Sequence, residues 1–224
     1  IYNINLKINT KFYFFVMRLK DARKLKFMKK TIILIPSRLD ASRLPNKPLL
    51  KINNKSIINY VYEKGQSTNI GDVYVATGDE KIFEEVTKNN GKSILTKKNH
   101  LTGTDRIFEA YKQLNRNDIH YIINLQGDEP LIDKNDIINL NNLAIKNNSE
   151  IATLACKLEN NYLENKNVVK VVSKENLEKN KISEAQKFLR FIKDKNLNNI
   201  YHHIGIYIYK VSILKKFVEL KQSS

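Results

Sequence analysis

"TIILIPSRLDASRLPNKPL", residues 31–49, joins an apolar run to a loop that is rich in cations. The run at 31–35 consists mainly of β-branched side chains, which predicts a buried strand, and we expect Pro36 to end it. The stretch therefore places a basic loop directly after a strand. In open α/β sheets, ligands bind outside the carboxyl ends of the strands, so this loop is a candidate binding segment.

Runs typical of strands alternate with runs typical of helices along the rest of the chain. Further strands are predicted at 72–77, 92–96, 151–158, 167–173 and 203–210, with one more that starts at 120 and runs into a turn. Helices are predicted at 56–66, 79–91, 102–114, 133–148 and 212–220, and residues 174–186 as irregular. This alternation predicts an α/β fold in one domain, with a mostly parallel central sheet and helices on both faces.

The formal net charge of +16 raises the question of a nucleic-acid partner. Only seven of the cations are arginine, which proteins that bind phosphates and bases favour over lysine. The lysines are scattered and accompany many Asn and Ile residues, which suggests an AT-rich genome rather than a binding face. We therefore expect no nucleic-acid partner. No apolar run is long enough to span a bilayer, so we also expect no membrane partner.

The amino-terminal part of the chain and its single cysteine give further expectations. The run "MKKTIILIP" at 28–36 is typical of a natural start, so we expect residues 1–27 to be an upstream extension without a stable fold, and 28–224 to form the functional domain. Cys156 is the only cysteine, which excludes an internal disulfide and fits a reducing cytoplasm. Because it lies in an apolar strand, it is expected in the core rather than as a nucleophile.

The basic loop has the composition of a phosphate-binding segment. Arg38, Arg43 and Lys47 roughly match the charge of the β- and γ-phosphates of a nucleotide, and guanidinium groups form strong, directional bonds with phosphate oxygens. Pro45 and Pro48 stiffen the loop and lower the entropy cost of holding that geometry. Neither a GxGxxG nor a GxxxxGK[ST] motif is present, so a dehydrogenase-type dinucleotide site and a P-loop are not expected.

Two other segments follow predicted strands. Asp128 and Glu129 in "QGDEP" are expected at the mouth of the sheet, where an aspartate can hold Mg²⁺ against substrate phosphates; an ordinary turn is an equal alternative. The segment "TGT" at 102–104 could place backbone N–H groups against a base or ribose, although a helix cap is the stronger alternative. His202 and His203 lack the acidic neighbours of a zinc site.

Taken together, these segments resemble a known family. "IPSRLDASRLPNKPL", "TGTDR", "NLQGDEPLI", "NVVKVV" and "HHIGIYIYK" are similar, in order and spacing, to the 3-deoxy-manno-octulosonate (Kdo) cytidylyltransferases, over residues 29 to about 220. The resemblance implies a Rossmann-like nucleotidyltransferase fold, a homodimer and a cytoplasmic enzyme of lipopolysaccharide synthesis. It implies a reaction of CTP with Kdo that gives CMP-Kdo and pyrophosphate, with Mg²⁺ as cofactor.

The resemblance also implies roles for individual residues. Arg38, Lys47 and Asp128 match the catalytic set, in which Asp128 is the magnesium ligand. The residues that it places at the substrates are Arg38, Arg43, Lys47, Thr102, Gly103, Thr104, Gln126, His203 and Tyr207. Of these, Thr102 to Thr104 match a segment that lines the nucleotide pocket, whereas His203 and Tyr207 match residues near Kdo.

Several positions depart from the family's usual pattern, which has Ala at Ser37, Gly at Asn46 and Asp at Gly78. The sequence ends at "ELKQSS", and it does not contain the later segment in which the family has a second metal aspartate. We therefore expect weak CTP binding and poor turnover from this chain. Three alternatives stay open, namely a cytidylyltransferase for another acidic sugar such as sialate or amino-Kdo, a catalytically impaired nucleotide-binding fragment, and a basic RNA-associated protein.

Overall fold

Twelve strands and five helices are present in the described part of the chain, which in this computed structural model comprises residues 12–17, 30–40, 44–177, 182–192 and 197–220. The strands are β1 (Phe12–Met17), β2 (Lys30–Ser37), β3 (Lys51–Ile52), β4 (Lys55–Ser56), β5 (Val73–Thr77), β6 (Ser93–Leu95), β7 (Ile119–Asn124), β8 (Ile151–Lys157), β9 (Lys170–Ser173), β10 (Ile182–Ser183), β11 (Ala185–Leu189) and β12 (Ile200–Lys210). The helices are α1 (Ile57–Ser67), α2 (Glu80–Lys88), α3 (Gly103–Leu114), α4 (Lys134–Lys146) and α5 (Val211–Val218).

The chain divides into two compact units. The larger consists of Arg18–Ala152 and Gly205–Ser224, and the smaller of Ile1–Met17 and Thr153–Ile204, so that the division falls inside β8 and β12. The sequence pattern predicted a single domain for the body, because no linker or change in composition marks either crossing. The expectation that residues 1–27 form an unstructured extension falls mostly outside the described residues; within it the structure describes only the backbone of β1.

The larger unit contains a mostly parallel sheet with the strand order β12-β7-β2-β5-β6. Strands β7, β2, β5 and β6 are parallel to one another, and β12 is antiparallel to β7. This confirms the predicted fold class. The central position of β2 explains its apolar sequence, because a strand that is covered on both faces has no side chain in water.

Alternate side chains of β2 pack against helices on opposite faces of the sheet. Ile32 and Leu34 belong to a core cluster that also contains Ile107 of α3 and Leu214 of α5. On the other face, Thr31 Oγ1 donates a hydrogen bond of 2.8 Å to the side chain of Asn141 in α4. Helices therefore cover both faces, and the carboxyl ends of the parallel strands are left as the open edge.

Two details differ from the sequence-based expectations. Strand β2 continues through Pro36, which pairs in register with Ala76, and ends at Ser37. A proline fits here because its fixed φ lies in the extended region and only one ladder donor is lost near the strand end. The segment predicted as irregular, 174–186, contains β10 and the first two residues of β11, which pairs with β9 in the smaller unit.

In the smaller unit β9 lies between β11 and the first part of β12 and is antiparallel to both, whereas β1 is parallel to β10. Its buried cluster contains Ala155, Val171, Leu177 and Tyr201. Cys156 is buried, as the sequence predicted. No helix of the described part of the chain has the length and apolarity needed to cross a membrane.

Candidate active site

A cleft of about 490 Å³ lies in the larger unit, at the carboxyl ends of β2 and β7 and the amino end of α3. The described residues that line it come from three parts of the chain: 36–38 with Leu44, Lys47 and Pro48; 100–103 with Arg106; and 126–128. The ends of parallel strands share one edge of the sheet, which is why segments so far apart in sequence meet here. The cleft contains the side chains of Arg38, Lys47 and Asp128.

Strands β2 and β7 approach each other closely at the cleft floor. A Cβ atom on Gly127 would lie 2.9 Å from the carbonyl oxygen of Pro36. This is shorter than a real Cβ contact, so the approach requires glycine at this position. The glycine in "QGDEP" thus has a packing function, and it allows Asp128 to follow directly at the cleft.

The basic loop ends in a short 3-10 turn, Lys47–Leu49, and Asn46 precedes this turn with a left-handed φ of 57°. Asparagine tolerates this conformation better than most residues, which explains why it can stand where the family usually has glycine. The turn directs Lys47 across the cleft, where its Nζ donates a hydrogen bond of 2.8 Å to the carboxylate of Asp128. The two groups of opposite charge are thus in direct contact.

Arg106 organises the opposite wall of the cleft. Its side chain is buried, and its guanidinium group donates hydrogen bonds to Thr96 Oγ1 at 2.6 Å and to the carbonyl oxygens of Lys97 and Lys98 at 3.1 Å each. Burial lowers the pKa of Arg106. Sequence analysis did not single out this residue, although the "TGTDR" motif contains it, because nothing in the sequence shows that residues 96–98 fold back on α3.

His100 lies in the same wall and is hydrogen-bonded through Nε2 to the carboxylate of Glu109. Burial alone would raise the pKa of Glu109, but hydrogen bonds from His100 and from the backbone N–H of Lys97 outweigh it and lower the pKa. The pair fixes one ring nitrogen of His100. This contact ties the loop before α3 to the body of that helix.

The segment 102–104 forms the amino end of α3. The Thr102 hydroxyl accepts a hydrogen bond from the N–H of Asp105, whose carboxylate accepts one from the N–H of Thr102, so the two residues form a capping box. The helix cap that the sequence offered as an alternative is therefore present. Thr102 and Gly103 also line the cleft, so capping and binding do not exclude each other here.

Comparison with known proteins adds to this geometry. The family model described as "Cytidylyltransferase" matches residues 32–224. The 3-deoxy-manno-octulosonate cytidylyltransferase of Thermodesulfovibrio yellowstonii is 43% identical over 86% of this chain and 80% of the relative. The enzyme of the same name from Cytophaga hutchinsonii is 39% identical over 86% of this chain and 79% of the relative. The chain belongs to the 3-deoxy-manno-octulosonate cytidylyltransferase family.

Solved structures agree with this family assignment. The structure of CMP:2-keto-3-deoxy-manno-octonic acid synthetase complexed with CTP is similar with a TM-score of 0.74 and 30% identity, over 87% of this chain and 80% of that chain. The 4-diphosphocytidyl-2C-methyl-D-erythritol synthase of Anaerococcus prevotii shares only the fold, with a TM-score of 0.53 and 11% identity over 88% of this chain and 80% of that chain. The nucleotidyltransferase fold that the sequence predicted is thereby confirmed.

The cleft contains most of the residues that the family resemblance placed at the nucleotide. Besides Arg38, Lys47 and Asp128, it contains Thr102, Gly103 and Gln126. The side-chain amide of Gln126 donates a hydrogen bond of 3.2 Å to Asn124 at the end of β7, which fixes its orientation. Arg43 lies outside the described residues.

Thr104 and Tyr207 are not among the residues that line the cleft. The side chain of Thr104 interacts with that of Tyr209. Tyr207 stacks on Tyr209 with ring centroids 5.9 Å apart and packs against the core cluster between the sheet and α3. Thr104 and Tyr207 thus both have packing partners within the larger unit, and their roles towards the substrates stay predictions.

His203 belongs to the smaller unit. Its Nε2 lies 2.9 Å from Thr153 Oγ1, and the ring of Phe188 contacts it edge-on at 5.0 Å. Burial lowers its pKa to about 4. The ring is therefore neutral at physiological pH, so one of its nitrogens donates a hydrogen bond and the other accepts one. The role of His203 towards a sugar stays a prediction.

The metal role of Asp128 fits the position of this side chain. Its side chain is 51% exposed at the cleft. Within the described residues, no group of three or more His, Cys, Asp or Glu side chains could hold a metal ion. Mg²⁺ commonly binds one or two carboxylates together with substrate phosphates, so a single aspartate beside a phosphate site is a suitable donor set.

Proposed function

We propose that this protein transfers CMP from CTP to Kdo, giving CMP-Kdo and pyrophosphate for lipopolysaccharide synthesis. The observation that supports this most is the meeting of Arg38, Lys47 and Asp128 in one cleft at the edge of the sheet. Relatives at 43% and 39% identity have names that state this activity, and the similar structure at 30% identity contains CTP.

In this reaction the anomeric hydroxyl oxygen of Kdo attacks the α-phosphorus of CTP and loses its proton to water. The new O–P bond forms as the bond from the α-phosphorus to the bridging oxygen breaks, and pyrophosphate departs with the bond electrons. Negative charge increases on the phosphoryl and leaving oxygens. Catalysis then depends on positioning and on fixed positive charge, which Arg38 and Lys47 supply, and it needs no protein nucleophile.

Asp128 is the residue that would hold Mg²⁺, and a bound Mg²⁺ would neutralise phosphate charge at the reacting group. In the cleft Lys47 and Asp128 form an ion pair, so their charges neutralise each other. We infer that Lys47 exchanges Asp128 for a phosphate oxygen when the nucleotide binds. The ion pair thus keeps both side chains in position before the substrates arrive.

We also propose a cytoplasmic enzyme that acts as a homodimer on its two small-molecule substrates. The single buried cysteine and the use of CTP support the cytoplasmic location, and the family resemblance supports the homodimer. Light scattering of the purified protein tests the dimer, because a monomer at micromolar concentration would contradict it.

Pyrophosphate release tests the reaction. The protein is incubated with Mg²⁺, CTP and one of three acidic sugars (Kdo, an amino-Kdo or sialate), with Asp128→Asn as the inactive control. Release with Kdo that depends on Asp128 supports the proposal. Release of pyrophosphate only with another sugar would show that the other sugar, and not Kdo, is the substrate. CTP binding without any pyrophosphate release would indicate a nucleotide-binding protein that is catalytically impaired.

A further inference from the structure

The hydroxyl group of Ser37 lacks a hydrogen-bond partner in the described part of the chain, although it is buried. Ser37 is the last residue of β2, is only 6% exposed, and lines the cleft beside Arg38. A buried polar group without a partner is costly and rare in native proteins, so each one calls for an explanation. Here the hydroxyl without a protein partner belongs to a residue that lines the cleft.

Two other serine hydroxyls, those of Ser56 and Ser149, are also buried without a partner in the described residues. Neither residue lines the cleft, so they share the burial of Ser37 but not its position. They therefore offer matched controls, since loss of a buried, unpaired hydroxyl can be compared at the cleft and away from it.

The position of Ser37 indicates which part of a nucleotide it would meet. A Cβ atom on Gly127 would lie 3.4 Å from the Cβ of Ser37 and 3.3 Å from Ile58 of α1, so the Ser37 side chain is on the α1 side of the sheet. The turn that contains Lys47 also contacts α1. By contrast, Pro36 points to the opposite side, towards Gly103, where a Cβ would lie 3.1 Å from its ring.

We propose that the Ser37 hydroxyl is a further substrate-binding group of this cleft, which donates a hydrogen bond to a phosphoryl oxygen of the nucleotide. Rotation about the Cα–Cβ bond moves the hydroxyl among three staggered positions, so it can turn towards a ligand that lies against the residue. The neighbouring cations Arg38 and Lys47 favour an anionic oxygen at this place. This inference rests on the proposed function, because it assumes that the cleft binds a nucleoside triphosphate.

Ser37→Ala tests the inference with Ser149→Ala as the matched control. Neither variant loses a protein hydrogen bond, so the melting temperature of the ligand-free protein should stay unchanged or rise in both. We expect the Kd for CTP, measured by calorimetry with Mg²⁺, to rise about 5- to 20-fold in Ser37→Ala and to stay unchanged in Ser149→Ala. Inorganic tripolyphosphate and CMP serve as additional probes of the wild type and both variants.

If Ser37→Ala also binds tripolyphosphate more weakly than wild type, the hydroxyl contacts a β- or γ-phosphoryl oxygen. If the variant loses affinity for CMP but not for tripolyphosphate, the hydroxyl contacts either the α-phosphoryl group or the nucleoside. Cytidine separates these last two, because weaker cytidine binding would overturn the assignment to phosphate. Equal CTP affinity of Ser37→Ala and wild type would overturn the inference and leave the proposed function intact. Absence of CTP binding by the wild type would overturn both.

Discussion

The carboxylate of Asp79 accepts a hydrogen bond of 2.9 Å from the backbone N–H of Leu39. Asp79 follows β5, and Leu39 follows Arg38 at the start of the basic loop, so the bond ties one strand end to the loop of its neighbour. The Asp79 N–H in turn donates a hydrogen bond of 3.0 Å to Thr77, which restrains the aspartate itself. Asp79 is therefore a positioning residue for the backbone next to Arg38.

Removal of this bond should weaken nucleotide binding. We expect Asp79→Ala to raise the KM for CTP about 5- to 20-fold through a less ordered Arg38. Asp79→Asn, which keeps an acceptor oxygen, should have a smaller effect. Glu63→Ala removes an exposed carboxylate that pairs with Lys55 and provides the control. If steady-state pyrophosphate release gives the same KM for Asp79→Ala and wild type, the positioning role is wrong.

Gly78 explains why Asp79, and not the residue before it, has this function. A Cβ on Gly78 would lie 2.7 Å from the Cα of Lys98 and 2.9 Å from Arg106 Nη1. The side chain that the family usually has at this position therefore does not fit here while the backbone of Lys98 lies this close. The aspartate one position later reaches the loop instead.

Gly78→Ala should accordingly destabilise the protein by about 1–3 kcal/mol, because the obstructing atom belongs to the backbone and cannot rotate away. Gly205→Ala is the matched control, since its Cβ would meet only the side chain of Gln126 at 3.7 Å, an ordinary contact. Urea unfolding of both variants measures the difference. A free energy of unfolding for Gly78→Ala equal to that of Gly205→Ala would show that residues 97–98 move at little cost.

The parts of the site that the sequence predicts are those that follow from strand order. Arg38 directly follows β2 and Asp128 lies four residues after the end of β7, and these parallel strands have their carboxyl ends at one edge of the sheet. Their meeting thus needed no knowledge of side-chain packing. The ion pair between Lys47 and Asp128 needed more, because it depends on the left-handed turn at Asn46.

The parts that the sequence does not predict depend on contacts between distant segments. Burial of Arg106 arises because residues 96–98 fold over α3 and present two carbonyl oxygens to it. The lack of space at Gly78 arises from the same approach. Strand β11 was missed because its side chains are mostly exposed and show no clear apolar alternation. None of these features has a period or a motif of its own.

The Lys47–Asp128 pair gives opposite predictions for binding and turnover. Asp128→Asn removes a negative charge from the cleft and frees Lys47, so CTP should bind several-fold more tightly than to wild type when Mg²⁺ is absent. With Mg²⁺ present, turnover should fall at least about 100-fold, because the proposed metal ligand is gone. Calorimetry in chelator and pyrophosphate release in Mg²⁺ measure the two effects. Weaker binding in chelator would contradict the exchange of Lys47 from Asp128 to phosphate.

His203 makes the stability of the protein depend on pH. Its pKa is lowered to about 4 in the folded chain, against about 6.5 for an ordinary histidine, because burial disfavours the charged ring. The unfolded chain therefore binds more protons between these two values, and stability should decrease as pH falls from about 6.5 to about 4, by up to ~3 kcal/mol. The neutral ring at pH 7 keeps its contact with Thr153.

His203→Gln has no titrating ring and serves to isolate this contribution. We expect its free energy of unfolding to depend less steeply on pH between 6.5 and 4 than that of wild type, since it binds no proton in either state. The pKa of His202 is also lowered by burial, so some slope should remain in the variant. Urea unfolding at a series of pH values measures both slopes. Parallel curves for the two proteins would show that His203 titrates alike in the folded and unfolded chain.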